Sequence, residues 1–188
     1  LFYRDRNKEG IINKNIELFS SILHRTRGVT SCIEFGANIG LNLQAIRYLI
    51  PGIQCSAIEI NHKAASKLKE WVKDIEVFEE SILNYKVKKM YDLVLIKGVL
   101  IHINPSELGG VYQKLYDSSS KYICIAEYYN PVPVMVEYRG NSNQLFKRDF
   151  CGEFMERFPN VKLIDYGFRY HRDNNFPQDD ITYFLLEK

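Results

Sequence analysis

The segment Cys32-Ile33-Glu34-Phe35-Gly36-Ala37-Asn38-Ile39-Gly40 sets the strongest limit on what this chain can fold into. A short apolar run ends in an acidic residue, two glycines four apart follow, and a helical pattern begins at Leu41. That is the grammar of a strand, a tight turn and a helix N-terminus, where α/β folds bind nucleotide-like ligands. A second apolar run, Cys55-Ser56-Ala57-Ile58, ends in Glu59. Glu59 lies 23 residues after Gly36, the distance at which a strand-end carboxylate holds a ribose.

The same spacing excludes a class of ligand. Dinucleotide folds use G-x-G-x-x-G, whose second glycine lets the backbone touch a pyrophosphate. Here that position is Asn38, and Glu34 just before the turn repels an anion. An acidic residue there suits a ligand with a positive group. S-adenosylmethionine carries an ammonium, a sulfonium and a ribose but no phosphate, so the residues favour it over NAD. A Gly-rich turn serving some other nucleotide ligand is the alternative.

The chain has 188 residues, enough for one α/β domain with a sizeable core. With 46% hydrophobic and 26% charged residues it reads as globular, and a net charge of +2 argues for neither nucleic acid nor a membrane surface as partner. No apolar stretch approaches the roughly 20 residues of a membrane span. No signal peptide is visible, although the first residue is Leu1 rather than Met and an earlier segment is expected. Cys32, Cys55, Cys124 and Cys151 form no C-x-x-C pair, and no His lies at metal-ligand spacing from them. Reduced thiols, a cytoplasmic protein and no metal site are the expectation.

Apolar runs and helical periods alternate along the chain, which predicts a mostly parallel sheet. Strands are predicted over 29–35, 53–58, 75–78, 91–96, 122–126, 161–169 and 181–186. Helices are predicted over 11–27, 41–49, 62–72, 105–116 and 149–158. The last two strands have no helix between them and are expected to form an antiparallel hairpin at the sheet edge. Residues 128–148 show no clear period and are expected to be an irregular, functional loop.

Five parallel strands, interleaved helices on both faces and a terminal antiparallel strand pair resemble the Rossmann-like class I methyltransferase fold. Glu34-Phe35-Gly36-Ala37-Asn38-Ile39-Gly40 and Glu59 match that fold's cofactor motifs. Further segments are similar to the bacterial methylases associated with pseudaminic acid biosynthesis. These are Gly98 to Pro105, Ala126 to Pro131, Tyr138-Arg139-Gly140, Phe146 to Phe150 and Asp165 to Phe168. The resemblance implies a single methyltransferase domain over 1–188, with 1–27 as a helical segment covering the cofactor and 128–148 on the substrate side.

Carried over position by position, the resemblance puts Glu34, Gly36, Asn38 and Gly40 around the methionine end of S-adenosyl-L-methionine. S-adenosyl-L-homocysteine is the implied product. Glu59 takes the ribose hydroxyls with Ile60 and Asn61 beside it, and Ser81 and Ile82 border the adenine. Many methyltransferases have Asp where this chain has Ser81, a poorer acceptor for the adenine amino group. Lys97 and Gly98 lie under the sulfonium. Tyr3, Arg6 and Asn7 fold over the cofactor, with Arg6 pairing with its carboxylate. The implied acceptor is a small molecule, an amino- or hydroxy-sugar of the nonulosonic acid type or its nucleotide-linked form.

Methyl transfer to a neutral hydroxyl needs a general base, transfer to an amine needs a free lone pair, and a carboxylate needs no base. His102 leads the candidates for that base, against a role as a capping or packing residue. Glu127 is the second, as a base, as a holder of a substrate amine or hydroxyl, or as a strand-end carboxylate bonded to neighbouring backbone. His171 is the third, against a solvated loop residue. Tyr128, Tyr129 and Tyr138 suit a ligand with polar and apolar faces. Arg139, Lys147 and Arg148 form either a grip for a carboxylate or phosphate or a solvated basic loop. Three functions stay open: methylation of a small molecule, methylation of a peptide or other natural product, and cofactor binding without catalysis. The protein is expected to be a monomer or a homodimer.

Overall fold

Strands and helices alternate as their periodicities require, and the strands join into one sheet. A computed structural model describes residues 10–138 and 141–188, and the side chains of 12–135 and 145–188. The elements are α1 (Gly10–Leu23), β1 (Ser31–Phe35), α2 (Leu41–Leu49), β2 (Gln54–Ile58), α3 (His62–Trp71), β3 (Glu76–Phe78) and β4 (Tyr91–Lys97). Then come α4 (Leu108–Ser118), β5 (Ser119–Glu127), β6 (Val134–Tyr138), β7 (Asn141–Lys147), α5 (Phe150–Arg157), β8 (Lys162–Arg169) and β9 (Ile181–Glu187).

The seven-stranded sheet has the order β3-β2-β1-β4-β5-β9-β8. Strands β1 to β5 are parallel, and β9 runs antiparallel to both β5 and β8. The expected terminal hairpin is therefore present, with the final strand inside it. Ile-Thr-Tyr-Phe-Leu-Leu is apolar enough to be covered on both faces, and Leu185 and Leu186 are buried. The more polar β8 takes the edge, where one side of a strand faces water. After β1 the chain winds outward through β2 and β3, then returns to place β4 on the other side. The C-terminal ends of β1 and β4 flank that reversal, the crevice where open α/β sheets bind ligands.

Both faces of the sheet are covered. Leu18, Phe19 and Ile22 of α1, Leu43 and Ile46 of α2 and Leu68 of α3 pack with Cys32, Cys55, Ala57, Leu93 and Leu95. On the opposite face Val111 and Leu115 of α4 and Phe154 of α5 pack with Ile33, Phe35, Val94, Ile96, Ile123 and Ile125. Each Leu, Ile, Val or Phe side chain withdrawn from water in this way contributes about 1.5–3 kcal/mol. All four cysteines are buried free thiols, and Cys32 Sγ lies 3.4 Å from Cys55 Sγ across paired strands.

Two expectations need correction. Residues 128–148 are not irregular throughout: β6 and β7 form a separate antiparallel pair with Val134 opposite Lys147 and Met135 opposite Phe146. Two prolines and several asparagines around the strands hide their alternation. The helix expected from Pro105 begins as a 3-10 turn, Pro105–Glu107, with α4 following. Asn104 caps that turn, its Oδ1 accepting from the Ser106 amide at 3.1 Å. Among the described residues no helix is long and apolar enough to cross a membrane, and no three His, Cys, Asp or Glu side chains converge as metal ligands.

Candidate functional site

The turn after β1 is built by conformation and by packing. Gly36, Asn38 and Gly40 all have positive φ (77°, 50° and 81°). Asn tolerates this region better than other residues with a Cβ. A Cβ on Gly36 would lie 2.6 Å from Val99 Cγ2, and one on Gly40 would lie 3.0 Å from Leu68 Cγ. The first glycine thus lets the turn approach the segment after β4, and the second seats the start of α2 on α3. Gly40 caps α2 without a side-chain hydrogen bond, so the first amides of that helix face the crevice without a side-chain acceptor.

Glu59 joins this turn to the next strand end. Its Oε2 accepts the Asn38 amide at 2.7 Å and its Oε1 accepts the Asn61 amide at 2.7 Å. Asn61 in turn caps α3, accepting from the amides of Lys63 and Ala64. Each Glu59 oxygen keeps a further lone pair. The next residue, Ile60, is 71% exposed, a bare apolar surface at the crevice. Ile82 instead packs into the core, and the Ser81 hydroxyl accepts from the Leu83 amide at 3.2 Å, within its own turn.

Two buried carboxylates lie at the strand ends. Glu34 is 1% exposed; Oε1 accepts from Asn42 Nδ2 at 2.5 Å and Oε2 has no partner. Burial pushes its carboxyl up to about 8, against the pull of the Asn42 bond and the Lys97 charge. Glu127, also buried, accepts from the Val99 and Leu100 amides at 2.7 and 2.8 Å through Oε1, while Oε2 has no partner. Burial pushes it up to about 7, opposed by those amides. One of the three expectations for Glu127, a strand-end carboxylate bonded to neighbouring backbone, matches this geometry. Its amides open the 3-10 turn Leu100–His102, so Glu127 holds the segment that carries His102. The His102 ring is exposed at the end of that turn, and desolvation on its protein side lowers its pKa.

Lys97 ends β4, half-buried, with Nζ 3.5 Å from Asn15 Oδ1 of α1. Gly98 follows with φ 65°, and a Cβ there would meet nothing within 4 Å. Helix α1 is held in place by the Arg169–Glu17 ion pair, 2.9 Å from Nε to Oε2, and by Gln178 Nε2 donating to the Lys14 carbonyl.

The expected acceptor side is only partly assembled. Lys147 Nζ sits 5.2 Å from the Tyr128 ring centroid. Tyr129 packs against Phe184 with centroids 5.9 Å apart. Arg148 is occupied: Nε contacts Glu153 Oε1 at 2.5 Å, and Tyr112 donates to Glu153 Oε2 at 2.9 Å. Through Nε it ties the end of β7 to α5. His171 is exposed on the turn after β8, with Nδ1 2.8 Å from Asp180 Oδ2. Tyr3, Arg6, Asn7 and Arg139 lie outside the described residues, as does the side chain of Tyr138.

The structure thus gathers Glu34, Gly36, Asn38, Gly40, Glu59, Ile60, Lys97, Gly98 and Glu127 at one sheet edge. Sequence reasoning missed Asn15, Asn42 and Val99. Asn42 is the second residue of α2 and reaches Glu34, a position that reads in sequence as ordinary helix surface. Val99 and Asn15 announce themselves by no motif.

Strand order, a crevice at the reversal and a glycine turn tied to a carboxylate on the second strand are the fold of the class I methyltransferases. A methyltransferase from Leishmania major described as S-adenosylmethionine-dependent superposes with TM-score 0.75 at 14% identity, covering 95% of this chain and 73% of its own. The 1,6-didemethyltoxoflavin N1-methyltransferase of Burkholderia thailandensis, with S-adenosylhomocysteine and its acceptor bound, gives 0.70 at 13%, covering 96% and 79%. The plantazolicin methyltransferase BpumL, with a pentazolic analogue and S-adenosylhomocysteine, gives 0.67 at 13%, covering 99% and 88%. At such identities these likenesses establish the fold. No protein-family model and no curated protein matches the sequence. The narrower likeness to pseudaminic acid methylases is therefore carried by the sequence motifs alone.

Proposed function

We propose that this chain is an S-adenosylmethionine-dependent methyltransferase acting on a small-molecule acceptor. The observation that carries this reading is the pairing of the Gly36–Gly40 turn with Glu59 above a buried, unpartnered Glu34 oxygen. The residues fit the cofactor's chemistry: an acid for its ammonium, a carboxylate with free lone pairs for its ribose, the exposed Ile60 for the adenine face, and open space at Gly98. Bound there, S-adenosylmethionine supplies an electrophilic sulfonium methyl.

The chain's own task is to position an acceptor and manage one proton. His102, on the turn fixed by Glu127, takes the proton of a hydroxyl acceptor. Its lowered pKa keeps the ring neutral, as a base must be, near neutral pH. Tyr128, Tyr129 and Lys147 line the acceptor side.

The acceptor we favour is an amino- or hydroxy-sugar of the nonulosonic acid type, on the motif resemblance and the tyrosines. A peptide or other natural product is the second reading, favoured by the fold likeness to a glycopeptide N-methyltransferase, MtfA, with TM-score 0.66 at 10% identity over 92% of this chain and 93% of its own. Calorimetric titration with S-adenosylmethionine and S-adenosylhomocysteine tests the first step, and absence of binding refutes it. A labelled-methyl screen against sugars, nucleotide sugars and peptides separates the acceptors. Tight binding with no turnover on any of them would instead identify a binding module.

A further inference from the structure

We infer that Lys97 is the counter-charge for the carboxylate at the cofactor's methionine end, so that Glu34 and Lys97 together read the two opposite charges of an amino-acid zwitterion. This rests on the methyl-donor reading above. The resemblance alone set Lys97 beneath the sulfonium, where two cations would repel.

The register places the two residues. Glu34 pairs with Leu95 across β1 and β4, and Lys97 is two residues further along β4. Residues two apart on a strand share a face, so Lys97 stands above Leu95 on the side that packs against α1 and α2, one pleat repeat nearer the crevice. The charges of Glu34 and Lys97 act on each other, and Asp179 of the 171–180 connection acts on Lys97 as well. Even so, among the described residues Lys97 makes no contact ion pair, and its one hydrogen bond is the 3.5 Å approach to Asn15. An ammonium has three donors. Lys97 therefore holds unused donors in a half-buried position at the crevice end of β4, while Glu34 holds a buried acceptor without a partner. An acid and an ammonium side chain that act on each other without a contact ion pair suit a ligand carrying the complementary pair, whose ammonium would favour the ionised Glu34 that burial disfavours. Burial disfavours the Lys97 charge, and a bound carboxylate would relieve that penalty. Asn15 Oδ1 of α1 accepts from the Lys97 ammonium, so the helix preceding β1 contributes to the same subsite.

Equilibrium binding to the intact protein tests this with three probes: S-adenosylhomocysteine, its decarboxylated analogue, and 5′-methylthioadenosine, which lacks the amino-acid portion. K97M is expected to weaken S-adenosylhomocysteine by about tenfold to a hundredfold, the range for one charge-assisted hydrogen bond. It should leave the decarboxylated analogue and 5′-methylthioadenosine unchanged, and that retained binding also reports a folded site. K97R should recover much of the loss. Equal weakening of all three probes, or no change for S-adenosylhomocysteine, overturns the assignment. A wild-type protein that binds none of the three refutes the methyl-donor reading itself, a distinct result.

Discussion

The backbone amide of Asn38 donates to Glu59 Oε2 at 2.7 Å, so the carboxylate that ends β2 holds the glycine turn that follows β1. Glu59 also accepts the Asn61 amide, which makes one side chain responsible for the shape of both loops. E59A removes an acceptor from two amides and is expected to lower stability by about 1–3 kcal/mol. S-adenosylhomocysteine binding should fall below detection in calorimetry, because the same change removes the proposed ribose partner. Unchanged binding would show that the ribose is held elsewhere.

Gly36 and Val99 are coupled by contact. G36A forces a Cβ to 2.6 Å from Val99 Cγ2 and holds a non-glycine residue at φ 77°. The backbone strain alone costs about 1–2 kcal/mol. In a double-mutant cycle with V99A, the second substitution should recover part of the loss by removing the clash, giving a coupling of at least about 0.5 kcal/mol. Additive effects in denaturant melts would mean that the turn relaxes away from Val99.

The pH dependence of stability follows from the two buried carboxyls. In the folded chain Glu34 is raised to about 8 and Glu127 to about 7, both above the range of an unfolded carboxyl. The folded state therefore binds more protons than the unfolded one between the two values. The stability these groups contribute is fully present below the unfolded pKa and is lost as pH rises through about 7 and about 8. Asp92, held low by Thr30 and Lys121 despite its own desolvation, acts with the opposite sign but only in acid. The free energy of unfolding is expected to decline between pH 5.5 and 8.5, by up to about 1.4 kcal/mol per pH unit for each group. E34Q should flatten the upper part of that decline, and a parallel curve would place the titration elsewhere.

Glu127 offers a test between support and catalysis. Its Oε1 accepts two amides that begin the turn bearing His102. E127Q keeps an acceptor oxygen, so a supporting role predicts nearly native stability and retained turnover, with E127A losing about 2–4 kcal/mol as buried donors go unpaired. A general base would instead make E127Q as inactive as E127A. With His102 as the proposed base, H102A should cost about 10²- to 10⁴-fold in turnover and remove the acid limb of the rate profile, since a base works only when neutral. Initial rates across pH separate these outcomes.

Much of this was legible without coordinates because it depends on local pattern. Apolar runs ending in Glu34 and Glu59, the 3.6-residue period of α3 and the missing helix between the last two strands each state a preference that burial then satisfies. The pair β6–β7 escaped because its register is set by contact between strands, and its own residues alternate weakly. Arg148 and His171 looked free in sequence, and only folding brought Glu153 and Asp180 against them.

The sequence by itself determined the sheet, the turn after β1 and the residue types at the strand ends, since periodicity, glycine spacing and strand-end carboxylates act within a few residues. Tertiary structure decided what those residues do. Whether a carboxylate faces water, an amide or nothing depends on segments far apart in the chain. Glu59 thus became a clamp between two loops and Glu127 a support for the His102 turn. Glu34 and Lys97 became strand-end groups whose charges act on each other without a contact ion pair.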